Sequence, residues 1–406
     1  MDDKRRFFSG KYRESLIVKI LHLGKYYPPA PGGIESHVQT LARGQAELGC
    51  QVSVLCVNHA DRFGNDITHA RLRKTVSSGD KDGAVHVERV GRWFGVSRLE
   101  VCPSLPWRIR QLTAQADIVH LHTPNPLMLA GWWLAGNRKV PLVVTHHSDV
   151  IKQRLLRYAV APFEKRVYTK AKRILTTSPE YQGGSAQLKA YLRKTRVLPL
   201  AIDLNSFVFQ SAVNQVVGSL VESDLRSPVW LMVGRLTYYK GYHIALEALA
   251  RVPGTLVIVG NGPLEAELRA KAERLGLAKR IVWKSHATPS ELAALYYAAT
   301  ALWFPSVARS EGFGLVQVEA MAAGCPVINT AIPASGVSWV SQHEVSGLTV
   351  PVGDANAFAA AANRMANEDG LRANLSHGAM ERAEKEFDAR VMAKRSLEIY
   401  GQVNWG

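Results

Sequence analysis

The stretch ALWFPSVARSEGFGLVQVEAMAAGCPVINTA, residues 301–331, holds a complete structural unit. It opens with a short apolar run of strand type at 301–306 and turns at Glu311-Gly312-Phe313-Gly314. Apolar residues then recur at helical spacing from Leu315 to about Ala323, and PVINTA (326–331) is a second strand-like run. Strand, turn, helix, strand is the βαβ unit of a parallel sheet. Gly312 and Gly314 let the backbone come close to a ligand, and the helix that follows offers its first N–H groups to a phosphate. Glu311 and Glu319 stand eight positions apart, before the helix and on it, so they can reach two ends of one ligand. Carboxylates accept paired hydroxyl donors, such as a ribose or a hexose supplies.

The same alternation runs outward in both directions. Upstream, strand-like runs are LIVKILHLG (16–24), QVSVLCV (51–57), VHVERV (85–90), DIVHLHTP (117–124), PLVVTHHS (141–148) and RILTTS (173–178). The C-terminal half adds VWLMVGR (229–235), TLVIVGNG (255–262), IVWKS (281–285) and GLTVPVG (347–353). Continuous apolar strands separated by helices predict parallel sheets covered on both faces. A chain of 406 residues is too long for one such domain and suits two. The pattern weakens around 200–228, which predicts a linker there, between an N-terminal Rossmann-like domain at 16–205 and a second one from 206; residues 1–15 read as a basic extension. Doubly wound domains bind ligands at the carboxyl ends of their strands, and two that face each other would share a cleft. Polar and glycine residues do cluster there: Pro31-Gly32-Gly33, His122-Thr123-Pro124, His146-His147-Ser148-Asp149, Gly234-Arg235 and Gly260-Asn261-Gly262.

Composition excludes several classes. Apolar residues make up 47% and charged residues 21%, enough for two cores and against global disorder. No apolar run approaches the roughly 20 residues of a membrane span, and the N-terminus lacks a signal-peptide core. Cys50, Cys56, Cys102 and Cys325 have neither CxxC nor zinc spacing and read as reduced, cytoplasmic thiols. The net charge is +16, all of it in the first half: 32 basic and 16 acidic residues up to 205, against 18 and 18 beyond. Residues 151–173 carry eight basic side chains and one acid, on a predicted amphipathic helix interrupted near Pro162. With Trp93, Phe94, Trp107, Trp132 and Trp133 nearby, this half suits an anionic membrane surface. No nucleic-acid motif is visible, and nucleic acid is not an expected partner.

Further constellations complete the pattern. In GRLTYYKG (234–241), Arg235 and Lys240 flank a short loop after a strand, a fork and a point charge suited to a diphosphate. YYPPAPGGIESHV (26–38) puts two glycines before a helix, without the spacing of a nicotinamide fingerprint. His146 and His147 end a strand, and Asp149 follows; the pair can bind hydroxyls, but a third metal ligand at sensible spacing is missing. His22, His120 and His122 read as satisfying strand ends.

With these residues in view, the sequence resembles the retaining glycosyltransferases of family 4, of two-Rossmann GT-B architecture. The markers stand in order: PGGIE (31–35), His147, GR…KG (234–241), VGNGPLE (259–265) with Gly260, Glu311 to Glu319, and SGLTVPVGD (346–354). The resemblance implies that Arg235 and Lys240 hold the donor diphosphate, with the backbone of Gly312, Phe313, Gly314 and Leu315. It further implies that Glu311 binds donor-sugar hydroxyls, Glu319 the ribose, His147 the transferred sugar, and Gly33 lies at a phosphate-facing loop. The segment Trp283 to His286 would edge the base pocket, and the last helix, within 386–406, would return to the N-terminal domain from a second domain ending at 385. No cofactor and no catalytic metal are implied; the substrate is a nucleotide sugar, with GDP-mannose favoured. YYPPAPGGIE, THHSD and YYKG are similar to bacterial mannosyl- and rhamnosyltransferases of O-antigen and exopolysaccharide assembly. That implies a polyprenyl-diphosphate-linked saccharide acceptor at the inner face of the cytoplasmic membrane, with Trp107, Asp149, Lys152, Arg154 and Arg157 on the acceptor or membrane side. The alternatives are a soluble transferase or phosphorylase making a small disaccharide, and a noncatalytic scaffold binding nucleotide sugars.

Overall fold

In the computed structural model each quoted apolar run forms a β-strand. The structure describes residues 17–30, 32–60, 74–96, 99–149, 154–207 and 227–403. The extension 1–15, Pro31, Lys152 and much of the predicted linker lie outside the described residues. The chain forms two compact units, one of Met1–Leu200 with Ala389–Gly406 and one of Ala201–Asp388. These boundaries fall a few residues from the expected 205 and 385. Ile202 N–H donates to Phe387 O at 3.0 Å and Ile202 pairs with Asp388, which ties both flanking segments to the second unit.

The first unit contains β1 (Lys19–Leu23), β2 (Gln51–Val57), β3 (Ser78–Asp82), β4 (Val85–Val90), β5 (Phe94–Val96) and β6 (Leu99–Val101). It continues with β7 (Ile118–Thr123), β8 (Leu142–His146), β9 (Arg173–Thr176) and β10 (Thr195–Val197). The main sheet has the order β10-β9-β8-β7-β1-β2-β4-β3. All its pairings are parallel except that of β3 with β4, and β5 and β6 form a separate antiparallel pair. The polar strand β3 is an edge without apolar alternation; Arg89–Asp80 and Tyr27–Asp82 side-chain contacts fasten it instead. Around the sheet lie α1 (Gly33–Glu47), α2 (Leu105–Thr113), α3 (Pro126–Ala135), α4 (Arg154–Lys170) and α5 (Pro179–Gly184).

Two expectations are corrected here. Helix α4 runs through Pro162 without interruption, since a proline removes one backbone bond while Val167 and Tyr168 beyond it are anchored in the core. Trp132 is not a surface aromatic: it packs with Leu105, Ile109 and Met128 in the core, where a large side chain contributes about 1.5–3 kcal/mol. Trp93 and Trp107 are exposed as expected.

The second unit is an all-parallel sheet of β11 (Val229–Val233), β12 (Thr255–Val259), β13 (Ile281–Lys284), β14 (Ala301–Phe304), β15 (Val327–Thr330) and β16 (Gly347–Val350). Its order is β13-β12-β11-β14-β15-β16. The helices are α6 (Tyr242–Leu249), α7 (Glu265–Arg274), α8 (Pro289–Ala298), α9 (Leu315–Ala322), α10 (Val337–Val340), α11 (Ala355–Asn367) and α12 (Leu371–Glu386). Trp230 and Trp303 stack 5.1 Å apart at the centre of its core. Strand order reverses beside β1 in the first sheet and beside β11 in the second, so those strand ends are the natural ligand positions.

After the second unit, α13 (Ala389–Gly401) belongs again to the first, packed against α1. Gly44 makes the approach possible, because a Cβ there would lie 2.9 Å from the Ala393 Cβ. Gly44→Leu is therefore expected to lower stability by about 1–3 kcal/mol through overpacking. Thermal unfolding measures it, and an unchanged midpoint would mean the two helices separate at little cost.

Candidate active site

In the second unit the site is built where β11, β12 and β14 end. Gly260 has a positive φ, and a Cβ on it would come within 2.2 Å of Gly234 O. The two strand ends thus press backbone to backbone, which gives Gly260 a packing role. A single 3-10 turn, Tyr238–Lys240, then leads to Gly241 at φ 70°, where a Cβ would strike Pro305 O at 1.8 Å. This close approach delivers Lys240 to the loop after β14. Its Nζ lies 2.6 Å from Glu311 Oε2, with 12% and 11% of the two side chains exposed. The ammonium also sits 4.8 Å from the centre of the Phe304 ring. Arg235, by contrast, is exposed on the same loop.

The Glu-Gly-Phe-Gly turn is fixed from beneath. Ser335 Oγ donates to Glu311 O at 2.5 Å, and Gly336 N–H donates to Gly312 O at 2.9 Å. Gly314, at φ 80°, caps α9 with no room for a Cβ against Phe304. Buried Gln317 donates to Phe313 O at 2.8 Å and accepts from Asn329 Nδ2 at 3.0 Å. The first turn of α9 is thereby held rigid, with the positive end of its dipole at the loop. Phe313 turns its ring into the core toward Phe387. Glu319, in the second turn, accepts a hydrogen bond from Tyr296 OH at 2.8 Å. Burial raises its pKa, opposed by that hydrogen bond and by the Lys240 charge. Lys240, Glu311, the 312–315 backbone and Glu319 therefore form one constellation. Trp283 stands on β13, with the Arg269 guanidinium over its ring at 4.6 Å.

In the first unit, Gly33 is the first residue of α1 and His147 follows β8. His147 Nε2 lies 3.2 Å from His122 Nδ1, and His122 Nε2 lies 3.0 Å from His22 Nδ1. His37 of α1 packs edge-on against His147 at 5.0 Å, and among the described residues neither of its ring nitrogens has a hydrogen-bond partner. Burial depresses these imidazoles, His22 to about 4 and His37 to about 3, with His120, His122 and His147 also lowered. All are neutral at pH 7. The strand-end reading of His22, His120 and His122 gives way to a connected cluster, because three parallel strands carry their histidines to one place. Sequence spacing offered no third metal ligand, yet His22–His120–His122 and His37–His122–His147 each bring ring nitrogens within 4.8 Å of one another. Asp149 pairs with His146, at 2.9 Å, and accepts from Ser185 Oγ. Arg154 and Arg157 stand in α4, and Trp107 is exposed on α2.

Gln317, Asn329, Ser335, Tyr296, His37 and Gln45 were not singled out from sequence. A polar residue on the buried face of a predicted helix, as Gln317 and Gln45 are, was the available signal.

This geometry has known counterparts. Residues 31–206 match the family described as Glycosyltransferase Family 4, and residues 221–382 the one described as Glycosyl transferases group 1. The chain belongs to the family 4 glycosyltransferases. It is 30% identical to the O-antigen chain mannosyltransferase C of Escherichia coli over 390 residues, covering 94% of this chain and 98% of that protein. It is 33% identical to the D-rhamnosyltransferase WbpZ of Pseudomonas aeruginosa over 84% of each. Among solved structures, HepE of Anabaena in complex with UDP superposes with a TM-score of 0.71 at 20% identity, covering 94% of this chain and 99% of that one. Sucrose-phosphate synthase of Thermosynechococcus elongatus gives 0.69 at 22% identity, covering 95% and 98%. The fold is that of the GT-B glycosyltransferases.

The histidine cluster sets a pH dependence. The unfolded chain binds protons at these rings below pH about 6.5, while the folded chain refuses them until far lower. Stability is therefore full above pH 6.5 and is lost as pH falls toward 4, at up to about 1.4 kcal/mol per pH unit for each ring. Thermal melts across this range should show the decline, flattened in His37→Asn. Identical slopes for the two proteins would exclude His37 from the effect.

Proposed function

We propose that this glycosyltransferase moves a hexose from a nucleotide diphosphate sugar to a saccharide or lipid-linked acceptor in bacterial surface polysaccharide synthesis. Mannose from GDP-mannose is the favoured donor, with retention of anomeric configuration and no catalytic metal. The observation that carries the reading is the Lys240–Glu311 pair beside the start of α9. An ammonium has three donors. Lys240 can hold Glu311 and still direct N–H groups at a diphosphate, whose negative charge grows as the glycosidic bond breaks. Arg235, exposed on the same loop, adds a planar fork for the second phosphate. Glu311 is then oriented to accept sugar hydroxyls, and Glu319, steadied by Tyr296, accepts from the ribose. His147 is assigned to the transferred sugar through the family resemblance. An O-antigen chain mannosyltransferase and a D-rhamnosyltransferase among its relatives support the sugar and pathway class.

The decisive experiment incubates the protein with GDP-, UDP- and ADP-sugars and an acceptor extract, and measures release of the nucleotide diphosphate. Turnover with GDP-mannose is expected; turnover confined to another base would overturn the donor assignment. Arg235→Ala should reduce turnover by about a hundredfold with a melting temperature near wild type. Lys240→Ala should reduce it at least as much and also lower the melting temperature, because it leaves the Glu311 carboxylate without its partner. Variants with full turnover would move the diphosphate elsewhere.

The same proposal places the first unit on the inner face of the cytoplasmic membrane. Among the described residues no helix is long and apolar enough to cross it. Trp93, Trp107 and Leu134 are exposed, and Arg108 lies 5.0 Å from the Trp107 ring, a pairing suited to anionic headgroups. The protein is expected to co-sediment with acidic liposomes, less so at high salt, and Trp107→Ala should weaken this while leaving transfer to a water-soluble acceptor intact. Equal binding to neutral liposomes, or none to either, would sink the membrane placement.

A further inference from the structure

The histidines of the first unit form a directed chain, not only a cluster. Its far end is Gln45 on α1. Gln45 Nε2 donates to Ser396 Oγ at 2.9 Å and to Tyr400 OH at 3.2 Å, both on α13. Ser396 gives its own hydrogen to Ala393 O at 2.7 Å, so its oxygen is left as an acceptor. Tyr400 likewise has His120 Nδ1, 2.6 Å away, to receive its hydrogen. These contacts orient the amide with Oε1 toward His22 Nε2, at 2.8 Å.

A carbonyl oxygen can only accept, so His22 carries its proton on Nε2. A neutral imidazole has one N–H, which makes His22 Nδ1 an acceptor. His122 must then donate from Nε2 across 3.0 Å, and its Nδ1 in turn accepts from His147 Nε2 across 3.2 Å. This order of protons requires every ring to be neutral, and burial keeps them so. His147 ends with its proton on Nε2 and a bare lone pair on Nδ1, which makes no hydrogen bond among the described residues.

We propose that Gln45 is a positioning residue, which fixes the tautomer of His147 through His22 and His122 and so presents an accepting Nδ1 to a sugar hydroxyl. The proposal rests on the assignment of His147 to the transferred sugar. Without the amide, the chain of imidazoles has no intrinsic direction, and a reversed chain would present an N–H instead.

The test uses the full chain carrying isotope-labelled histidine, read by long-range proton–nitrogen spectra at neutral pH, with His147→Asn to identify the ring. In wild type, His22, His122 and His147 should all be protonated on Nε2. Gln45→Met should leave His147 as a mixture of tautomers. Turnover should fall in proportion to the Nδ1-protonated fraction, with the KM for the nucleotide sugar unchanged. Gln45→Glu should restore both, because a carboxyl kept protonated by burial accepts from His22 through its C=O and donates its O–H to Ser396 Oγ or Tyr400 OH, as the amide does. Ser396→Ala, which removes one hold on the amide, should shift the tautomer to a smaller degree and serves if Gln45→Met does not fold. A wild-type His147 protonated on Nδ1, or a tautomer unmoved by both variants, would overturn the chain. A tautomer that moves while turnover does not would instead remove His147 from the sugar.

Discussion

A lysine and a glutamate 2.6 Å apart, each with only about a tenth of its side chain in water, require that everything around them be placed closely. A charge so far withdrawn from solvent is tolerated only with its partner in position. That position depends on Gly241 tucked against Pro305 O, which brings the β11 loop onto the β14 loop. The loop after β14 depends in turn on Ser335, Gly336 and Gln317, which hold its carbonyls from below. The ion pair is thus the visible end of a rigid assembly of backbone contacts. Under the proposed function, such an assembly would serve catalysis by being organised before any substrate arrives.

The first unit meets the same problem with neutral groups. Histidines brought side by side by β1, β7 and β8 would repel if charged, and burial keeps them neutral. Uncharged rings can then satisfy one another in sequence, each giving its one proton to the next. The polar interior is affordable because each link answers the next, and its direction is set where an amide meets two hydroxyls on α13. One unit holds a charge pair and the other a proton order.

What could be read from sequence follows from how local each determinant is. The parallel strands were legible because a strand covered on both faces is apolar throughout, as VINT and TLVIV are. Glu311, Gly314 and Glu319 were legible because one turn and one helix carry them. Strand β3 was not, since SGDKD is an edge strand held by side-chain contacts from residues distant in sequence. The histidine cluster was illegible for the same reason: His22 and His122 lie 100 residues apart and meet only through the pairing of β1 with β7. Trp132 was misread because a helix apolar all round gives no sign of which aromatic faces the core.

The return of α13 has a consequence for the order in which this protein is made. A ribosome releases the strands of the first unit early, but Gln45 and His120 find Ser396 and Tyr400 only when the last helix emerges. Until then the nascent first unit lacks one of its covering helices and leaves a buried amide and an imidazole without those partners. The whole second unit is synthesised during that interval. Completion of the first-made unit therefore waits until the whole second unit has been made, and a nascent chain stopped before Ala389 would lack a piece of its first unit.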